Sequence, residues 1–280
     1  MERQIQKIIT LEKPQLFGDF DARNIVPNQI SHKNFSPFVR LDNGYPNYYK
    51  TSQRERGVFE HPHTGTQIIT LVLDGEMRHR DNLNNDSTIQ GLGVHSLVTG
   101  GGVKHHETFG ENFNKQGGLL HFLQIWLKLP SQFQNIEPFY EDFQNFRSTL
   151  KNELKTTVIS GFYNGIEGIV KTFSEVNIIN FEIKNNSNCQ IITTPNHNSG
   201  IMVTSGAIKI NGVFINSNTF VLLETSTSKV VKVESEESAK FVLLEGLRIL
   251  GPVITDKNGF YVRNSKLKVD KDRDKFRKLS

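Results

Sequence analysis

Short strand-like runs broken by turn residues dominate this chain and leave little room for helices. Residues 67–73 (QIITLVL), 119–129 (LLHFLQIWLKL), 200–204, 207–210, 220–223 and 239–244 are rich in β-branched and large apolar side chains. The dipeptides Asn43-Gly44, Asp74-Gly75, Asn164-Gly165 and Asn211-Gly212 punctuate them with residues that tolerate positive φ. Regular short strands with such punctuation predict an all-β protein of sandwiches or barrels. One stretch resembles a helix, residues 138–154 (PFYEDFQNFRSTLKNEL), with only a partial apolar period.

Two histidine-rich words carry the chemistry. Along an extended strand residues i and i+2 share a face, so His61 and His63 (HPH) can aim two imidazoles into one cavity. In His105-His106-Glu107 the outer pair can add an imidazole and a carboxylate, while alternation turns His106 away. Three neutral nitrogens and one anionic oxygen suit a divalent first-row ion and leave positions open for water, dioxygen or substrate. His79 and His121 read as rim or core residues, and His32, His95 and His197 as structural. Gly100-Gly101-Gly102 reads as a tight turn rather than a phosphate cradle, since no helix with a Lys-Ser/Thr pair follows it. Residues 109–118 (FGENFNKQGG) read as a polar loop at a pocket lip, and Trp126 as barrel core.

The strand pattern occurs twice. Residues 69–75 (ITLVLDG) and 200–206 (GIMVTSG) each run into a turn glycine and then another strand. Superposing Gly75 on Gly206 puts Ile192 and Thr194 where His61 and His63 stand. Superposing residues 94–98 on 219–223 puts Val230 and Lys232 in the places of His105 and Glu107. Two tandem barrels are expected, with ligands in the first alone.

Composition bounds the remaining classes. With 280 residues, 36% hydrophobic and 20 Phe, the chain has ample core for a folded protein. The single cysteine, Cys189, excludes an intrachain disulfide and any cysteine-based cluster. The N-terminal segment has scattered charges and no apolar core of a secretory signal, and no apolar run reaches membrane-span length, so a cytoplasmic or nuclear protein is expected. The net charge of +4 comes from residues 266–280, which hold seven Lys/Arg and three Asp. The basic pI is therefore a property of that tail, and sequence-specific nucleic-acid binding is not expected.

The motifs occur in a recognisable order: His61-Pro62-His63-x-Gly65; Gly75-Glu76-x-x-His79-Arg80-Asp81; Thr99-Gly100-x-Gly102-x-x-His105-x-Glu107; then Gln124-Ile125-Trp126-Leu127-x-Leu129-Pro130. Ser36-Pro37-Phe38-Val39-Arg40-Leu41-Asp42 precedes them. Ile159-Ser160-Gly161-x-Tyr163-Asn164-Gly165, Gly251-Pro252-Val253 and Phe260-Tyr261-Val262-Arg263-Asn264 follow. The ordered set closely resembles the pirin family of bicupins and covers nearly the whole chain. The resemblance implies two cupin barrels, organised as residues 1–135 (metal-binding barrel), 136–160 (linker with the possible helix) and 161–280 (barrel without ligands, ending in the charged tail).

It also implies that His61, His63, His105 and Glu107 hold one divalent transition metal. Iron is foremost, with nickel, copper, cobalt, manganese or zinc as alternatives. Some family members are described as quercetin dioxygenases, which implies a small phenolic substrate with Glu107 as catalytic proton acceptor. Others are described as nuclear co-regulators, which implies a protein partner bound near the Asn-rich rim (Asn82, Asn84, Asn85). A monomer without membrane association is expected in either case. The chain departs from the family pattern at Gln67, where Glu is usual, and at Thr64, Thr66, Gly101 and His106.

Overall fold

The computed structural model describes residues 2–11, 14–251 and 253. Pro252, the motif at residues 260–264 and the basic tail lie outside the described residues. The regular elements of the described chain are almost all strands, arranged as two barrels of like design. Each pairs a seven-stranded antiparallel sheet with a four-stranded one. These are the two tandem barrels that the repeat implies.

In the first barrel the large sheet runs in the spatial order Phe139–Phe143, Val94–Val98, Thr66–Asp74, Gly118–Lys128, Phe38–Tyr49, Phe20–Val26, Gln15–Phe17. The small sheet runs Gly57–His63, Val103–Phe109, Glu76–Asp81, Asp86–Gln90. The central strand Gly118–Lys128 is buried on both faces, which is why it reads as an unbroken apolar run. Leu123, Ile125 and Leu127 face the second barrel and join a core with Ile178, Met202, Phe220, Val242 and Leu244. The alternate residues Phe122, Gln124 and Trp126 face into the first barrel. Alternation on one strand thus separates the seam between the barrels from the candidate site.

The second barrel repeats the register. Ile192 pairs with Val230 as His61 pairs with His105. The facing is offset, however. Ile192 is 41% exposed and Lys232 is exposed, while Ile191, Val231 and Val233 fill the interior with hydrocarbon. The superposed positions therefore lie on the outer face, because one step along a strand reverses the side chain. Thr194 instead belongs to a buried polar knot: its hydroxyl donates to Glu245 Oε2 at 3.0 Å, and Glu245 pairs with the fully buried Arg3 at 3.7 Å.

Two expectations are corrected here. Residues 138–154 hold no helix; Phe139–Phe143 pairs with Val94–Val98, and Ser148–Lys151 pairs with Leu154–Ser160. The sheet edges offered by each barrel outweigh a weak local helical preference. Residues 109–118 are not a plain loop, since Glu111–Gln116 forms a helix that buries Phe113 and Asn114. Near the other end of the sequence, Ile5–Thr10 joins the second barrel's sheet beside Thr219–Leu223. The Gly100 turn is as expected. Its φ is +43°, and a Cβ there would lie 2.0 Å from the Ile136 carbonyl oxygen.

Candidate metal centre

Three strands and one irregularity build the site. Gly57–His63 and Val103–Phe109 pair with His105 opposite His61 and Val103 opposite His63. The register then slips, so that Glu107 faces Val58, with the consecutive exposed residues Phe59 and Glu60 forming a bulge. The bulge has a direct use. The Phe59 carbonyl lies 2.7 Å from His61 Nδ1, and since a carbonyl only accepts, that nitrogen carries the proton. His61 Nε2 is left as a lone pair pointing inward.

A second chain of bonds fixes His105. His79 Nε2 lies 3.0 Å from Asp81 Oδ2 and donates to it. With its proton on Nε2, His79 turns Nδ1 toward His105 Nδ1 at 3.4 Å and accepts from it. His105 Nε2 is therefore also a lone pair, and it faces His61 Nε2 at 3.1 Å. Two lone pairs that close repel unless a cation lies between them or beside both. His63 completes the group: all three imidazoles offer nitrogens within 4.8 Å of one another, and all three rings are buried. Burial lowers the pKa of His61, and burial followed by the neighbouring His63 ring holds that of His105 well below its ordinary value, which favours the neutral form that ligands require. This donor set fits a transition metal ion.

Glu107 stands apart from the three-histidine group but shares the buried face of its strand with His105. Both oxygens are held: Thr70 Oγ1 donates to Oε1 at 2.9 Å and Gln124 Nε2 to Oε2 at 2.6 Å. Trp126 Nε1 donates to Gln124 Oε1 at 3.2 Å, and the Trp126 ring lies 4.7 Å from that of His63. His106 turns outward as alternation requires and lies 3.7 Å from Glu60. A cavity of about 230 Å³ opens beside Glu107, walled by Phe17, Phe20, Met77, Phe122 and Gln124.

Several residues here escape a reading of the sequence. Tyr140, from the segment read as helical, stacks on His79 at 4.1 Å with an interplanar angle of 4°. Its hydroxyl contacts His95 Nδ1 and Ser87 Oγ, and burial lowers the pKa of His95 to about 3. Thr70 and Gln124 are signalled only by lying on the inward face of their strands. Gln67 does not approach the metal group. It donates to Ser96 Oγ at 3.0 Å and to the Lys171 carbonyl at 2.8 Å, bonds that a carboxylate could not donate.

Two barrels with imidazoles gathered in the first and hydrocarbon filling the second define a bicupin with one metal-competent site among the described residues. Residues 19–127 match the Pirin family model and residues 178–280 match the Pirin C-terminal cupin domain. The chain belongs to the pirin family. It is 26% identical over 258 residues to a Pseudomonas aeruginosa protein described as "Putative quercetin 2,3-dioxygenase", covering 90% of this chain and 89% of that one. It is also 26% identical over 274 residues to a pirin-like protein of Solanum lycopersicum, covering 95% and 88%. Among solved structures, a quercetin 2,3-dioxygenase from Acinetobacter baumannii superposes with a TM-score of 0.91 at 24% identity, covering 99% and 98% of the two chains. A bacterial pirin from Escherichia coli, in complex with nickel(II), gives 0.66 at 16% identity, covering 87% and 100%.

Proposed function

We propose that the protein is a metal-dependent dioxygenase acting on flavonol-like phenolics, with Glu107 as the proton acceptor. The observation that carries this reading is Glu107, which shares the buried face of its strand with His105, lines the cavity and has both oxygens oriented by donors. His61, His63, His105 and Glu107 would hold one divalent ion, iron foremost and nickel next. A bound ion supplies Lewis acidity and a partner for dioxygen.

The chain's own groups do the rest. The Glu107 carboxylate takes the proton of the substrate hydroxyl that becomes the enolate. Thr70 and Gln124 hold that carboxylate in place, and Phe20, Met77 and Phe122 keep water from the reacting ring. Each turnover consumes one flavonol and one dioxygen and yields a ring-opened ester with one carbon monoxide. The test is oxygen uptake with carbon monoxide release from quercetin, measured on protein loaded separately with each candidate ion. Turnover that vanishes in His61→Ala supports the reading, and none with any ion overturns it.

One observation favours a second reading, a metal-dependent binding module. The exposed turn at Asn82 and Asn84 is tied through Asn85, whose Nδ2 donates to both oxygens of Asp81, to the residue that holds His79. A protein partner recognising that turn would sense how His105 is held. Pull-downs that recover the same partner equally with and without metal rule this out.

A further inference from the structure

Resting on the dioxygenase reading, we infer that Arg40 is a specificity residue that selects an aromatic substrate carrying an anionic oxygen group. The Arg40 guanidinium carbon lies 5.4 Å from the Phe17 ring centroid and 5.0 Å from that of Trp126, so two aromatic faces fix its plane. Its Nε donates to Asp42 Oδ2 at 2.5 Å, and Asp42 is itself steadied by Asn24 Nδ2 at 2.7 Å. Asp42 is thus engaged end-on at Nε. The paired edge of Nη1 and Nη2, which matches a carboxylate in fork geometry, makes no hydrogen bond to the described residues. The side chain is 21% exposed and lines the same cavity as Glu107.

The cavity lining mixes polar and apolar groups, with Gln15, Asn24, Asn28 and Gln124 beside the charged residues. Among the described residues Arg40 is its one cationic donor, its Nε held by Asp42, and Glu107 offers a proton acceptor. The apolar faces are those of Phe17, Phe20, Met77 and Phe122. A void of about 150 Å³ holds one benzene ring. The volume here, about 230 Å³, accommodates one ring with its substituents. The substrate class that matches is a hydroxylated ring with its hydroxyl toward Glu107 and a carboxylate or comparable oxyanion toward Arg40.

Binding tests this without turnover, so the result is separable from the dioxygenase reading. The probes are 3,4-dihydroxybenzoate and its methyl ester, titrated calorimetrically into the metal-loaded protein. Trp126, the single tryptophan of the chain, serves as an adjacent fluorescence reporter. The free acid is expected to bind about tenfold or more tightly than the ester. Arg40→Gln is expected to remove that preference while leaving the ester's affinity unchanged, and Arg40→Lys to restore part of it. Equal affinity of acid and ester for the unaltered protein, or an undiminished preference in Arg40→Gln, overturns the assignment. Should Arg40→Gln fail to fold, the acid-to-ester ratio of the unaltered protein still decides. Quercetin turnover accompanied by equal acid and ester binding would sink this inference alone.

Discussion

His105 Nδ1 and His79 Nδ1 lie 3.4 Å apart, and the far nitrogen of His79 is anchored on Asp81 Oδ2 at 3.0 Å. A ligand ring is thus oriented by a second ring and a carboxylate that are themselves outside the three-histidine group. Asp81 is held in its charged form although burial opposes it, because hydrogen bonds from His79 and Asn85 outweigh that cost.

Asp81→Asn keeps the shape but lets the side chain offer an amide donor toward His79, which permits the wrong tautomer. Metal affinity is expected to fall by about 10- to 100-fold, as for other residues that orient metal-bound imidazoles. Competition against a chromogenic chelator measures it. His79→Ala should fall at least as far, while His106→Ala, which alters an outward ring, should bind metal normally.

Gln124→Leu removes the donor 2.6 Å from Glu107 Oε2 and leaves Trp126 Nε1 without its acceptor. Two buried polar groups lose partners, so a loss of about 2–4 kcal/mol in unfolding free energy is expected. Urea unfolding of the metal-free protein reads this independently of activity. Gln124→Glu should instead place two carboxylates together in a buried site and destabilise the fold as well.

A polar bridge crosses the seam between the barrels at His121, whose Nε2 lies 3.0 Å from Asn43 Oδ1, with Asn43 Nδ2 then 3.4 Å from Asn218 Oδ1. Burial, then the Lys240 charge, lowers the His121 pKa from 6.5 to about 4. The unfolded chain therefore takes up this proton at higher pH than the folded one. The contribution is whole above pH 6.5 and is lost as pH falls toward 4, about 3 kcal/mol in all. His121→Gln, which retains a donor for Asn43, should flatten that part of the stability profile. Unfolding at pH 7 and pH 4.5 compares the two slopes.

Arg3 and Glu245 form a wholly buried pair at 3.7 Å, with Arg3 also donating to the Glu224, Thr194 and His197 carbonyls. Arg3→Ala leaves the Glu245 charge buried and is expected to cost about 3–5 kcal/mol. Glu245→Gln should cost less, since Ser199 and Asn177 can still bond the amide. Calorimetric melting should show both losses while metal affinity in the first barrel stays unchanged.

The sequence makes the metal group readable because strand alternation is local: HPH and HHE each show which rings share a side, and their family order supplies the partner word. The bulge at Phe59 and Glu60 is invisible there, since neither glycine nor proline marks it, yet it provides the carbonyl that sets the His61 tautomer. Tyr140 is hidden for another reason. Its segment has the composition of a weak helix, and only the free edge of Val94–Val98, distant in sequence, draws it into a sheet. Repetition reveals the second barrel, but not which face of each strand turns inward, because Ile191 and Ile192 are equally apolar. Gln67 reads as a departure near the ligands, and only the fold shows that it points to Lys171.

Ile5–Thr10 pairs with Thr219–Leu223, so a strand translated early completes a sheet whose neighbouring strand is translated late. While the ribosome works through the described strands between them, that early segment has no edge to dock on and its apolar side stays a target for chaperones. The first barrel's own sheets can pair meanwhile, since none of their strands lies in that segment. Co-translational assembly of this chain therefore proceeds out of order, and trimming the early segment would cripple the barrel made last rather than the one beside it in sequence.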